Sequence, residues 1–305
     1  MLGTGPFAVP SLRALHASEH VVLCVGTRPP RGRRAQPAPV AIAAEELSIE
    51  VWQPETVNCE AARSKIAAYN ADLLVVCDYG EILKPATLST TRLGGINLHG
   101  SLLPKYRGAA PVQWAVLSGD AETGNTVIQM TPGLDAGPAL GVQHIPIDPD
   151  ETAGELEARM AELGAKLVIE VVGHLAAGTT NPLPQDKTNA TKAPRLSKEM
   201  GRIDWSNSAK QIKDQVRALQ PWPRAHTSWR RAQGEPLRII VHRVQTLPAS
   251  GSAEAGIIVH CESELIVSTG DGWLRLEDVQ PAGKRVMTAD DFLRGNQVRV
   301  GDCLE

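Results

Sequence analysis

Ala71–Asp78 reads ADLLVVCD and His20–Thr27 reads HVVLCVGT, two nearly unbroken apolar runs rich in β-branched residues. A strand with one solvated face alternates apolar and polar residues. One covered on both faces has no reason to, so these runs predict strands inside a parallel sheet. Gly95–Leu98 and Thr126–Met130 are shorter candidates. Between them, Pro39–Leu47 and Cys59–Tyr69 carry alanine-rich helical spacing. Thr152–Leu175 predicts a long amphipathic helix, opened by Thr152 with Glu155 three residues on. Strands alternating with helices through the first 180 residues predict an α/β fold with an open, doubly wound, mainly parallel sheet.

The composition changes at Gly178–Leu196 (GTTNPLPQDKTNATKAPRL), where Thr, Asn, Pro and Lys favour extended, exposed backbone. Residues 181–196 are therefore expected to be an interdomain linker. Beyond them Ser208–Leu219 has the helical period, and Leu237–Val244, Gly256–His260, Glu264–Thr269 and Trp273–Val279 are short runs parted by turns such as Gly270-Asp271-Gly272. That pattern predicts a small antiparallel barrel or sheet. The expected organisation is a catalytic domain over 1–180, the linker over 181–196 and a second domain over 197–305.

With 305 residues, 42% apolar, 21% charged and a formal net charge of −3, the chain has the balance of a soluble two-domain protein. No apolar run approaches the ~18 residues of a membrane span, and the first 20 residues lack a cationic stretch leading into an apolar one. The five cysteines are odd in number, widely spaced and form no C-x-x-C pair. Reduced thiols, a cytoplasmic location and no metal site are expected. Charge is uneven: residues 181–243 hold 13 Lys and Arg against 5 Asp and Glu, and Arg28, Arg31, Arg33 and Arg34 crowd a loop without an acid. Both clusters suit phosphate groups, although a solvated face would look the same.

Ile96–Pro111, INLHGSLLPKYRGAAP, carries the chemistry. Asn97 and His99 are two apart, so at the end of a strand their side chains share one side of the sheet. Ligands bind at the carboxyl ends of strands in such sheets. An amide donor beside an imidazole there offers a hydrogen bond to a developing oxyanion and a proton shuttle near neutral pH. Gly100 permits a sharp exit from the strand, and Leu102 and Leu103 are suited to line an apolar slot for a flat ring.

This segment resembles the signature of the 10-formyltetrahydrofolate-dependent formyltransferases, Asn-x-His-Gly/Pro-Ser-Leu-Leu-Pro followed by a basic residue and Arg-Gly. The family also has an acid in a Gly-hydrophobic-Asp-x-Gly turn; here that is Gly133-Leu134-Asp135-Ala136-Gly137, with Asp135 36 residues after His99. Such a carboxylate is suited to orient the imidazole, the part of the third member of a catalytic triad. Gly3–Pro10 is similar to the family's opening loop, and Val76–Gly80 resembles a turn whose backbone lines the pterin pocket, with Asp78 where the pattern has Ala. The second half (LSKE at 196–199, RIDW at 202–205, RALQPWP at 217–223, VQPAGKRVM at 279–287) is similar to the branch acting on tRNA.

The resemblance implies a formyltransferase-type, Rossmann-like first domain and an OB-like barrel that binds tRNA. It implies transfer of the formyl group of 10-formyltetrahydrofolate to the methionine α-amino group of initiator methionyl-tRNA, by a monomer without metal. An amino sugar nucleotide is the alternative acceptor. Asn97, His99 and Asp135 are the expected catalytic residues, and Tyr79, Gly80, Ser101, Leu102, Leu103 and Pro104 the expected folate contacts. Arg28, Arg31, Arg33 and Arg34 are expected to reach the tRNA. Trp222, between two prolines, is expected as a buried anchor in preference to a stacking platform for a base. A sheet of this type needs a strand before the Gly-Thr loop, and only Met1 and Leu2 precede Gly3. The natural chain is therefore expected to begin upstream, which an intact-mass measurement on the native protein tests.

Overall fold

The structure, a computed structural model, describes residues 1–30, 32, 36–231 and 234–305. The chain divides into two compact units. One comprises Met1–Val112, Glu122–Ile147 and Glu155–Arg195; the other comprises Gln113–Ala121, Asp148–Gly154 and Leu196–Glu305.

In the first unit the strands are β1 (Leu2–Gly3), β2 (Val25–Gly26), β3 (Val51–Trp52), β4 (Leu74–Cys77), β5 (Gly95–His99), β6 (Arg107–Gly108), β7 (Glu122–Gln129), β8 (Ala139–Pro146) and β9 (Lys192–Ala193). The main sheet runs β3-β2-β1-β4-β5-β7-β8. It is parallel from β3 to β5 and antiparallel from β5 through β8. Leu2 and Gly3 hold the central place, paired with β2 on one side and β4 on the other. β2 is shorter than the apolar run predicts. Its ladder begins at Val25, opposite Val51, while Val21 is 79% and Leu23 44% exposed. Apolar composition encourages a strand, but only a neighbouring backbone satisfies its N–H and C=O groups.

Helices α1 (Val9–His16), α2 (Pro39–Glu46), α3 (Glu60–Ala68), α4 (Pro85–Leu88) and α5 (Pro111–Leu117) precede the long α6 (Ala153–Ala177). α6 buries Leu156, Met160, Val168, Val171 and Val172 at helical spacing. Gly164 lets the helix meet β5 closely: a Cβ there would stand 2.9 Å from Leu98. The stretch 181–195 is extended on either side of a single helical turn at Lys187–Asn189, and it belongs to this unit and not to a linker. Leu183 exchanges two 2.8 Å backbone hydrogen bonds with Ala139, and β9 pairs with β6.

The second unit holds α7 (Ala209–Ala218), β10 (His226–Arg230), β11 (Leu237–Leu247), β12 (Ile258–His260), β13 (Leu265–Ser268), β14 (Trp273–Pro281), β15 (Met287–Thr288), α8 (Ala289–Gly295) and β16 (Cys303–Leu304). The sheet runs β12-β13-β14-β11-β10-β16. An Ile257–Cys303 bridge brings its two ends together, so it is an antiparallel, nearly closed barrel. Ser208 and Gln211 start α7 with reciprocal capping bonds. Inside lie Ile203, Trp205, Ile212, Val241, Leu265, Val267 and Leu274, with Trp229 edge-on to Phe292 at 6.0 Å. Trp222 is not among them: it is 51% exposed, so the expected burial of its ring does not occur.

Candidate active site

β5 positions the first two groups. Ile96 and Leu98 are buried on the face that meets α6, and the alternation of a strand turns Asn97 and His99 to the other. Asn97 lies between Val76 of β4 and Ile128 of β7. It is half-buried, and its carboxamide has no side-chain hydrogen bond within the described residues. An amide held on a central strand with its donor uncommitted suits an oxygen arriving from a ligand.

His99 is 6% exposed and its Nε2 lies 2.9 Å from the Tyr106 carbonyl. A carbonyl only accepts, so Nε2 carries the proton and donates it there. In the neutral imidazole the lone pair is then on Nδ1, which stands 3.8 Å from Asp135 Oδ2, too far for a hydrogen bond. The carboxylate is itself held by the Gly108 N–H, which donates to Oδ2 at 3.0 Å. The three residues thus come together, but the peptide of Tyr106 rather than Asp135 orients the ring. Asp135 faces the nitrogen that is free to take a proton.

The loop after β5 is braced throughout. Ser101 is fully buried; its Oγ donates to Lys105 O at 2.7 Å and its carbonyl accepts from Thr126 Oγ1 at 2.7 Å. Thr126 Oγ1 in turn accepts from Leu103 N at 3.2 Å. Leu102, Leu103 and Pro104 remain half-buried and offer apolar edges. The neighbouring turn after β4 is open. Asp78 and Gly80 have φ of +47° and +78°, and a Cβ on Gly80 would meet nothing within 4 Å. The Gly80 backbone and the apolar edges of residues 102–104 follow the carboxyl ends of the adjacent strands β4 and β5, the end of a parallel sheet that suits a flat heterocycle with polar partners on its rim. Tyr79 as a whole is 2% exposed, its ring packed in the core with Leu2, Val57 and Leu83 and its carbonyl accepting from Thr4 Oγ1 at 3.4 Å, so the expected folate contact there is not at the surface and the turn's accessible backbone is at Gly80.

Asp78 is exposed as a residue, yet protein atoms, the Gly5 peptide among them, crowd its carboxylate. That desolvation pushes its pKa up to about 6, against the opposing pull of the Gly5 N–H. Arg28 does not stand free at the surface. It donates to Glu81 Oε2 at 2.9 Å, and Glu81 also accepts from Val57 N at 3.2 Å, from Asn58 Nδ2 at 2.8 Å and from the Thr56 hydroxyl. Arg31, Arg33 and Arg34 lie outside the described residues. Sequence reasoning missed the Tyr106 carbonyl, Thr126 and two residues of the 181–195 stretch, Gln185 and Thr191. Gln185 Nε2 donates to Asp135 O at 2.8 Å, and Thr191 Oγ1 accepts from Tyr106 N at 2.8 Å.

Residues 1–172 match the family model for formyl transferase, and residues 195–297 that for the formyl transferase C-terminal domain. The methionyl-tRNA formyltransferase of Rhodopirellula baltica is 44% identical over 320 residues, covering 100% of this chain and 95% of its own. Among solved structures, the sugar 3N-formyl transferase WlaRD has a TM-score of 0.68 at 17% identity, with 93% of this chain and 97% of its own covered. An N-formyltransferase from Helicobacter canadensis has 0.66 at 17%, with 90% and 97% covered. At such identities these two share the fold.

Proposed function

The chain belongs to the formyl transferase family as a one-carbon transferase, and we propose that Asn97, His99 and Asp135 carry the transfer. The acceptor is the methionine α-amino group of initiator methionyl-tRNA, and the end-to-end identity with a methionyl-tRNA formyltransferase supports this. When bound, 10-formyltetrahydrofolate supplies the activated formyl group. The backbone of Gly80 and the edges of Leu102, Leu103 and Pro104 are the groups that would hold it.

Asn97 donates to the formyl oxygen as negative charge gathers there, so it binds the transition state more tightly than the ground state. His99 takes the proton from the attacking amine at Nδ1, with Nε2 kept protonated by the Tyr106 carbonyl. Asp135, fixed by Gly108, stabilises the imidazolium so formed, and the same Nδ1–H is available to protonate the departing nitrogen. Protons balance: one leaves the amine and one reaches the leaving group.

The observation that carries this reading is an uncommitted amide two residues from an imidazole whose free nitrogen faces a carboxylate. Asn97→Ala tests it. Turnover with charged initiator tRNA should fall about 10²- to 10³-fold with little change in KM for tRNA. An unchanged kcat, or transfer to an amino sugar nucleotide in preference to tRNA, would overturn it.

A further inference from the structure

The mechanism above uses no residue of the 181–196 stretch, yet two of its side chains bond directly to the peptides that hold the catalytic pair. Gln185 Nε2 donates to Asp135 O at 2.8 Å and to Gly137 O at 2.7 Å. Its orientation is fixed from the other end, where Oε1 accepts from Arg107 Nε at 3.2 Å and Nη2 at 2.6 Å. A flipped amide would set its N–H groups against a guanidinium and its oxygen against two carbonyls. The turn so gripped needs a grip. Asp135 has φ of +46°, which is disfavoured for a residue with a Cβ, and this conformation aims its carboxylate at His99.

The second brace acts on the ring. Thr191 Oγ1 accepts from Tyr106 N at 2.8 Å, Thr191 N donates to Pro104 O at 3.3 Å, and Thr191 O accepts from Arg107 N at 2.9 Å. Tyr106, with φ of +61°, presents its carbonyl to His99 Nε2. The tilt and tautomer of the imidazole therefore descend from Thr191 through a single residue.

We propose that Gln185 and Thr191 are positioning residues for formyl transfer, Gln185 setting the Asp135 carboxylate and Thr191 setting His99. The proposal rests on the reading of His99 and Asp135 as the proton-handling pair, and it makes the apparent linker a working part of the site. Three variants of the full chain test it: Gln185→Met, which keeps length and loses both donors; Thr191→Val, which loses the hydroxyl; and Thr191→Ser, which keeps it.

Two readouts are needed, steady-state transfer from 10-formyltetrahydrofolate to methionyl-tRNA and the ¹H–¹⁵N correlation of the His99 ring. Gln185→Met and Thr191→Val should lower kcat about 10- to 100-fold with both KM values within about threefold, the size of effect expected when a reacting group is misplaced. Thr191→Ser should restore the rate. The His99 Nε2–H signal should move in Thr191→Val and stay in Thr191→Ser. Unchanged kcat, losses confined to KM, or Thr191→Ser as slow as Thr191→Val would overturn the proposal. If the parent chain fails to formylate methionyl-tRNA, the functional reading falls by itself. The spectra still decide the positioning claim, because an unmoved His99 signal in Thr191→Val refutes it.

Discussion

β4 and β5 are adjacent parallel strands that end side by side, and they leave the sheet in opposite ways. After β5 the chain is tied down by Ser101, Thr126 and Thr191, so that Asn97 and His99 project from a fixed base. After β4 it turns through Asp78 and Gly80 at positive φ, with open space in front. Groups that act through single atoms at defined angles need the first kind of exit. A surface that receives a flat ring along its backbone needs the second.

The largest effect that would sharpen this contrast is at the braced exit. His99→Ala should cost about 10²- to 10⁴-fold in turnover, the range for a lost proton-transfer group. Its melting temperature should fall as well, because the ring is 6% exposed and bonded to the Tyr106 carbonyl; a folded variant that keeps its turnover would show the residue to be structural alone. Next comes a pair of glycines. At Gly137 a Cβ would lie 1.7 Å from Gln129 O, so Gly137→Ala should destabilise by about 2–4 kcal/mol and displace Asp135, lowering kcat. Gly80→Ala has room and meets only the strain of its φ, about 1–2 kcal/mol; KM for the folate should rise while kcat holds. Equal behaviour of the two, in denaturant titrations and kinetics, would dissolve the distinction between the braced side of the site, where Gly137 lies in the β7–β8 turn, and the open turn after β4.

The smallest effect is at Asp78. Its folded pKa of about 6 lies above the ordinary 3.8. The folded state thus favours the protonated carboxyl, and the associated stability is complete below pH 4 and lost as pH rises through 6. Asp78→Asn should therefore gain on the order of 1 kcal/mol at pH 7.5, given the side chain's accessible edge, and nothing at pH 4. Denaturation at the two pH values measures this, and a gain equal at both would remove burial as the cause.

The parts of the site legible in the sequence are those encoded by local geometry. The spacing of Asn97 and His99 sets them on one face of β5, and Gly133–Gly137 advertises a turn. Barrel strands β11 to β14 are also legible, because alternation and glycine turns are short-range signals, and Leu237–Val244 falls three residues short of β11; β10, β15 and β16 are not foreseen. Asp135 is tied to His99 by resemblance alone, since a separation of 36 positions leaves no periodic trace. Long-range hydrogen bonds were invisible. Ser101 looked like a ligand contact and is a buried brace. Arg28 looked free and is engaged by Glu81. Residues 181–196 have a composition that says extended, which is correct, but composition is silent on what an extended segment lies against.

The two braces are anchored at separate peptides and meet only at Arg107. Gln185 is held at Asp135, Gly137 and Arg107, whereas Thr191 is held at Pro104, Tyr106 and Arg107 and continues directly into the β9 ladder. The short turn between them is exposed and closes on itself, with Asp186 Oδ1 accepting from Thr188 N at 2.9 Å. Neither anchor depends on how long that turn is, and lengthening a surface loop costs only a logarithm of its size. Residues 187–189 are thus a place where the chain could accept an insertion, or even a proteolytic nick, while both halves of the active-site scaffold stay docked.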